Sequence, residues 1–428
     1  MTLPRTFLVL VATVVSFDAL AADFLPLGST FQELGGLSLS RNGEYVIGTQ
    51  VSERQSECAI FADCATATNA VRWSRKDGLE PLLDFDRATA ISNNGEVAVG
   101  RRRSTDGFGP FLWNVSTGII DLGELRETPD LGYATDVSAD GRIVVGGVGE
   151  SLFATSYGGN PEAFVWSAES GVVGLGDLDG GSERSFATAV SADGSVVVGE
   201  ATSAGSTGGE AFVWTIDEGM IGLGEHTRLA QSTATDVSSD GLVVVGFGWG
   251  AIGPLRSPSG FRYRSDGNAT DHLCFTPLAT DATGKTIVGT SGGVATIWFE
   301  SGQSQVLQEV LASDYGLAEQ LEAWTLETAV DISADGRTIV GFGTNPSGQL
   351  EAWGVVIPEP SSAVIALMSC GVLSSVFRTR SSWLHRCRFG RVPKCVGCVT
   401  PLHLPNHARM PASASILAFS NEHADHRN

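Results

Sequence analysis

The sequence predicts an all-β fold made of seven four-stranded units arranged in a ring. Three observations predict it: a turn motif that returns seven times, an aromatic strand that follows each turn, and an N-terminal strand that matches the piece missing from the last unit. The turn motif is clearest in ATDVSADGRIVVG (134–146), ATDVSSDGLVVVG (234–246) and AVDISADGRTIVG (329–341). In every copy a turn glycine is followed five residues later by another: Gly43/Gly48, Gly95/Gly100, Gly141/Gly146, Gly194/Gly199, Gly241/Gly246, Gly284/Gly289 and Gly336/Gly341. Asp-Gly and Asn-Gly pairs supply the positive φ angles of a tight hairpin, and the β-branched runs beside them supply its two strands. On this reading Asp140, Asp193, Asp240 and Asp335 serve the turn.

The second motif ends in an aromatic residue: Trp73, Trp113, Trp166, Trp214, Tyr263, Trp298 and Trp353, best seen in EAFVW at 162–166 and 210–214. A fixed place on an inner strand of each unit argues for packing between units over a sugar-stacking platform. A glycine then opens a further strand, as in GIIDLG (118–123), GVVGLG (171–176) and GMIGLG (219–224). Four strands per unit, with turn glycines 43 to 53 residues apart, fit a β-propeller blade. The seventh unit has its aromatic strand (EAWGVV, 351–356) but no fourth strand, and FLPLG (24–28) supplies one. The expectation is a seven-bladed β-propeller closed by its N-terminal strand, which covers both sheet edges. An open β-solenoid and a six-bladed ring stay open as alternatives, because the first and sixth units are degenerate. Segment 305–324 breaks the pattern with apolar residues at helical spacing, so one or two short helices are expected there.

The chain ends carry targeting signals. Arg5 precedes the short apolar run FLVLVATVVSF (7–17), and Ala19-Leu20-Ala21 gives a small-x-small cleavage pattern, which places signal cleavage between Ala21 and Ala22. The expected organisation is a signal peptide at 1–21, the propeller at 22–357, a sorting and membrane segment at 358–380, and a basic tail at 381–428 that does not fold with the rest. The net charge is -21, and the basic stretch 378–428 makes the preceding body more acidic still. Such a body repels nucleic acid and anionic lipid, which excludes a nucleic-acid role for it. Seven cysteines in 428 residues do not make a disulfide scaffold; Cys58 and Cys64 are close enough in sequence to close one small loop in an oxidising compartment.

Two resemblances follow from these motifs. The repeats resemble HAF extracellular repeats, whose pattern joins an A-x-x-I-N-x-x-G-x-V-V-G hairpin to H-A-F-x-W and D-L-G-x-L strands. Residues 162–166 and 210–214 match the middle motif with Glu in place of the namesake His, and 120–125 (IDLGEL) match the third. The second resemblance is to PEP-CTERM sorting signals: Pro358-Glu359-Pro360, an apolar run at 363–377, then Arg378 and Arg380. It implies export, processing by an exosortase-type system, membrane association through 363–377, and residence at the cell surface or outside the cell in a bacterium that makes exopolysaccharide. The chain continues to Asn428 where such signals normally stop.

Candidate chemistry is sparse. Cys395, Cys398, His403 and His407 have a zinc-like spacing but lack the aromatic and glycine residues of a knuckle. Residues 289–293 fit G-x-S-x-G at the end of a hairpin, where no strand-to-helix turn is expected. Residues 248–253 fit G-x-G-x-x-G, followed by a Pro- and Ser-rich loop. Asp177, Asp179 and Glu183 are a turn with a calcium alternative. No cofactor is expected. Connections between the hairpin and the aromatic vary from 9 to 25 residues, and in a propeller they emerge on one face, which reads as a binding rim. Its candidates are Arg101, Arg102, Arg103, Phe108, Tyr157 and Trp249, with an anionic polysaccharide as one partner for the arginines and a solvated edge as the plain alternative. The expectation is a non-catalytic exported module that binds or organises extracellular polysaccharide; the competing expectation is a polysaccharide hydrolase or lyase with two convergent carboxylates.

Overall fold

In six of the seven blades the opening hairpin is closed by a serine. In the third blade Ser138 Oγ donates to Asp140 Oδ1 at 2.7 Å and accepts the Ile143 N–H at 3.0 Å, while Asp140 Oδ1 accepts the Arg142 N–H at 3.0 Å. The Gly141 N–H closes the turn onto Ser138 O, and Gly141 takes φ of 77°. Among the described residues no turn Asp or Asn of the motif has positive φ. The Asp-Gly pair is therefore a type I turn followed by one left-handed glycine, in place of the two-residue turn expected from sequence, and Asp acts through its carboxylate. Ser40, Ser92, Ser191, Ser238 and Ser333 bond the residue two positions on in the same way. In the sixth blade Asp281 replaces the serine and accepts the Thr283, Lys285 and Thr286 N–H groups.

The second glycine answers a β-bulge. The innermost strand slips register opposite it, for example between Ala134 and Asp136 and between Ala234 and Asp236. A Cβ on Gly100, Gly146, Gly199, Gly246, Gly289 or Gly341 would lie 2.0–2.3 Å from a carbonyl oxygen of that strand, so the bulge admits glycine alone. The vacated space takes an aromatic from the third strand: Phe111, Phe164, Phe212, Phe261 and Trp353 sit opposite these glycines and are fully buried. The main anchor is thus the Phe of EAFVW. Its Trp lies two register positions along the same strand, where Trp73, Trp113 and Trp214 are half-buried. These aromatics lie on the third strand from the centre, outside the inner strand to which the sequence reading gave them, and Trp353 occupies the Phe position.

The computed structural model describes residues 22–28, 36–51, 68–82, 87–104, 107–122, 131–149, 161–204, 208–250 and 259–358. They form seven four-stranded antiparallel sheets, a seven-bladed β-propeller. The blades comprise 37–82, 87–121, 131–174, 180–222, 231–273, 276–306, and 325–356 with Asp23–Gly28. Asp23–Gly28 pairs antiparallel with Leu350–Val356 as the outer strand of the seventh blade, as expected. Phe24 fixes that closure, its ring 5.1 Å from Trp324 and 6.5 Å from Trp353. The expected helix is Leu307–Asp314, with Leu307, Val310 and Leu311 buried under the seventh blade. The core is a chain of apolar layers between neighbouring blades, such as Val99, Leu112, Val144 and Phe164 between the second and third.

Blade-to-blade hydrogen bonds run around the axis at the turn end. Asn93 N–H donates to Ala139 O, Ala139 to Ala192, Ala192 to Ser239, Ser239 to Ala282, Ala282 to Ala334, and Ala334 to Arg41, at 2.7–3.2 Å. Further along the channel, Thr89, Thr135, Thr188 and Thr235 each donate a hydroxyl to a carbonyl of the next blade. The ring is thus tied by polar bonds at two levels as well as by apolar packing.

Candidate functional site

The inner strands enclose an axial cavity of about 190 Å³. Next to this motif position backbone N–H groups face the channel, and three carboxylates collect them in pairs. Asp136 accepts the Val137 N–H at 2.7 Å and, from the next blade, the Val190 N–H at 2.9 Å. Asp236 accepts Val237 at 2.7 Å and Thr280 at 2.8 Å. Asp331 accepts Ile332 and Leu39, both at 2.7 Å, and the Ser38 hydroxyl at 3.1 Å. In the other blades the equivalent position holds Ser38, Ala90, Ala189 and Ala279.

Arg41 supplies the only positive charge lining this cavity among the described residues. It leaves the first blade and lies across the turn end, donating to Val190 O at 2.7 Å in the fourth blade and to Ser239 Oγ at 3.4 Å in the fifth. The channel is therefore spanned at the turn end, and among the described residues nothing spans the other. Burial pushes the Asp236 carboxyl up to about 7, with Arg41 opposing the rise. Burial likewise raises Asp331 to about 6 against its hydrogen bonds, and raises Asp136 against the Arg41 charge. Three carboxylates facing one guanidinium in a confined space resist full ionisation.

The other end carries an arc of half-buried side chains, some two residues from the channel threonines on the innermost strands and the rest on the strands beside them. Arg87 and Arg101 stand opposite each other in register in the second blade, and the Arg101 guanidinium lies 4.2 Å from the Phe108 ring centroid. Next comes Tyr133 of the third blade, whose ring is 5.2 Å from Phe186 of the fourth. Phe186 lies over Gly147, where a Cβ would meet its ring at 2.3 Å. Glu200 follows, 3.5 Å from Arg184 and bonded by the Thr233 hydroxyl. Phe247 and Trp249 of the fifth blade end the arc as a T-shaped pair at 5.6 Å. Burial raises the Tyr133 phenol, and the charges of Arg87 and Arg101 work against that rise.

Of the sequence candidates, Arg101 and Phe108 are brought into contact and Trp249 stands at the far end of the same arc. Arg102 is exposed on the opposite face of its strand, because successive side chains alternate, so the three arginines are not one patch. Arg103 pairs in register with Phe108. Ala22 and Pro358 bound the described residues. Ala21, Cys58, Cys64, Tyr157, Glu359, Pro360, Arg378, Arg380, Cys395, Cys398, His403 and His407 lie outside them. Among the described residues no group of His, Cys, Asp or Glu is placed to hold a metal ion, so Asp177, Asp179 and Glu183 are not drawn together. Ser291 ends a strand that turns back through Gly292 and Gly293 at φ 59° and 81°, a hairpin in place of a nucleophile turn. Sequence reasoning missed Arg41, Asp136, Asp236 and Asp331. The available signal was one motif position that holds Asp in three repeats and Ser or Ala in four.

No protein-family model and no curated protein matches the sequence. Solved structures do. Oligogalacturonate lyase from Vibrio parahaemolyticus is similar at a TM-score of 0.52 and 10% identity, over 79% of this chain and 98% of that one. The β-propeller domain of the Trilobed protease from Pyrococcus furiosus is similar at 0.46 and 12%, over 74% and 91%. TolB from Acinetobacter baumannii is similar at 0.41 and 11%, over 75% of this chain and 65% of its own length. At such identities the likeness is one of fold: the chain is a seven-bladed β-propeller with its N-terminal strand closing the last blade.

Proposed function

We propose that this propeller is an exported, non-catalytic binding module that holds extracellular polysaccharide at the end of its channel opposite the turns. The observation that carries the reading is the arc from Phe108 to Trp249. Half-buried aromatic rings alternate there with charged and hydroxyl groups over four blades, on the face where connection lengths vary most. Ring faces suit the apolar faces of sugars, and the groups between them suit hydroxyls. Export and exosortase-type processing rest on the two terminal signals of the sequence. Affinity electrophoresis of the full chain in gels cast with soluble polysaccharides tests binding. Retardation that weakens in Trp249→Ala supports it, and unretarded migration in every gel overturns it. Intact-mass and terminal peptide mapping of protein from the native surface tests export; a chain that keeps residues 381–428 sinks the sorting account.

A polysaccharide hydrolase or lyase is the second reading, favoured by the raised Asp236 carboxyl inside a pocket. Against it, both oxygens of Asp136, Asp236 and Asp331 are engaged by backbone N–H groups. New reducing or unsaturated ends released by the full chain, and lost in Asp236→Asn, would establish the enzyme.

A further inference from the structure

The outermost strand of a blade has a partner on one side only, and its other edge accepts a further strand unless something guards it. Four blades guard theirs. The first has Glu80 and Pro81 in its outer strand, the fifth Asp271 and His272, and the seventh Asp23 and Pro26. The sixth has only Gln305–Val306, which runs straight into the helix Leu307–Asp314. In the first and fifth blades the acid is also paired, Glu80 with Arg72 at 2.6 Å and Asp271 with Arg262 at 3.0 Å. The outer strands of the second, third and fourth blades are Gly118–Asp121, Gly171–Gly174 and Gly219–Gly222, and they contain no Pro and no Lys. At the register position of Glu80 and Asp271 they carry Ile120, Val173 and Ile221, opposite Leu112, Val165 and Val213 in place of arginine. These three side chains are 36%, 42% and 46% exposed. Among the described residues no strand pairs with the outer edges. The Leu175 and Leu223 N–H groups point inward, to Ala163 O and Ala211 O; by alternation those of Val172, Gly174, Met220 and Gly222 point outward.

We propose that these three adjacent edges are docking sites for an extended strand of another protein, one that alternates apolar and basic residues. Backbone pairing supplies the affinity, and alternate side chains supply the selection. Apolar residues of the incoming strand lie beside Ile120, Val173 and Ile221 as cross-strand neighbours. Ile216, 81% exposed in the turn that leads into Gly219–Gly222, extends the apolar surface. The basic residues answer a local charge. Hairpin stretches 114–121, 167–174 and 215–222 hold Asp121, Glu169, Asp217 and Glu218 and no Lys or Arg. The same charge disfavours a second copy of this chain. Antiparallel pairing of Gly171–Gly174 with itself sets Glu169 against Asp177 of the other copy, and parallel pairing sets Glu169 against Glu169.

The test is fluorescence anisotropy of three labelled octapeptides titrated with the full chain. One is a Lys-Val repeat, one a Glu-Val repeat, and one a fully N-methylated Lys-Val repeat that keeps the charge but has no backbone donors. The expected result is saturable binding of the first, at least about tenfold weaker for the other two. It should weaken as much in the triple variant Ile120→Lys, Val173→Lys, Ile221→Lys. A matched triple on the guarded blades, Leu79→Lys, Val294→Lys, Leu350→Lys, changes charge equally at similarly exposed positions and should leave binding close to wild type. No binding of the Lys-Val peptide would overturn the proposal. Equal binding of the N-methylated peptide, or equal losses in the two triples, would overturn it too, since charge alone would then be read. Two measurements expose other occupants. A dimer in sedimentation equilibrium that the first triple dissolves would put a second copy on the edges. A cross-link from benzoylphenylalanine at position 173 to residues 378–428 of the same chain would put the basic tail there. Either result would overturn docking of a foreign strand. Unchanged far-UV circular dichroism and melting temperature identify the variants that remain folded.

Discussion

Raising the pH through neutrality should weaken this propeller through one residue above all, Asp236. Its carboxyl stands near 7 in the folded protein against 3.8 as the ordinary value. Between roughly pH 4 and 7 the folded state therefore keeps a proton that the unfolded chain has released. The stabilisation linked to that proton is complete below the unfolded value and disappears as the pH rises through 7. Three units at about 1.4 kcal/mol each give about 4 kcal/mol as the largest effect, an upper bound because water reaches the open cavity. Asp236→Asn removes the titration. It also puts an amide where Thr280 N–H needs an acceptor, a pH-independent loss of about 1–3 kcal/mol. Urea unfolding of both proteins from pH 4.5 to 8 separates the terms. The variant should start less stable and gain on the wild type by up to about 3 kcal/mol as the pH rises. Parallel pH profiles would refute the argument, since Asp236 would then titrate alike in folded and unfolded chains.

Three other outcomes follow from the same geometry. Arg41→Gln should lower stability more at pH 8 than at pH 5, because the guanidinium offsets Asp136 and Asp236 only when they are charged; an equal loss at both pH values in urea melts would show that its role is steric. Gly246→Ala should cost about 1–3 kcal/mol or more by urea unfolding, since the new Cβ would meet Thr233 O at 2.2 Å and the Phe261 ring at 2.6 Å. Trp353→Phe should stay within about 1 kcal/mol of wild type, because the buried Trp353 Nε1 has no hydrogen-bond partner among the described residues and Phe fills the same position in four other blades; a loss above about 3 kcal/mol would mean the indole is matched to its site.

The repeat spacing and the missing seventh outer strand pointed to seven blades and their closure, while the degenerate first and sixth units left a six-bladed ring and an open solenoid standing until the structure. Both depend on local chemistry that each copy repeats: Ser138 with Asp140 closes a turn, and Gly146 admits a bulge and an aromatic. What the sequence hid was the use of that chemistry across blades. Asp140 and Asp136 are four residues apart in the same motif, yet one bonds its own turn and the other reaches Val190 in the next blade. Only the ring brings the second pair together. The arc was half legible for the same reason. Arg101, Phe108 and Trp249 lie beside variable connections and could be picked out, whereas Tyr133 and Phe186 stand 53 positions apart and become neighbours because equivalent residues of adjacent blades stack around the axis. The Trp of EAFVW misled because it is the larger residue, while the Phe faces glycine and has the space.

The odd number of blades explains the distribution of charge in the channel. Six innermost strands bulge at this position while the first blade keeps a regular register at Leu39, and a carboxylate there can take two N–H groups, its own blade's and the next blade's. Carboxylates on the third, fifth and seventh blades therefore serve six blades: third and fourth, fifth and sixth, seventh and first. The intervening blades need only a small residue, and they have Ala189, Ala279 and Ser38. The second blade is the remainder. It holds Ala90 at its own motif position, and the first blade before it holds Ser38. Placing an Asp in every blade would have spent seven buried charges on seven N–H groups. Pairing spends three, and one arginine from the first blade offsets part of that charge from across the axis. The raised carboxyls of Asp236 and Asp331 are what remains of the imbalance, so the pH sensitivity argued above arises from the scheme that ties the ring together.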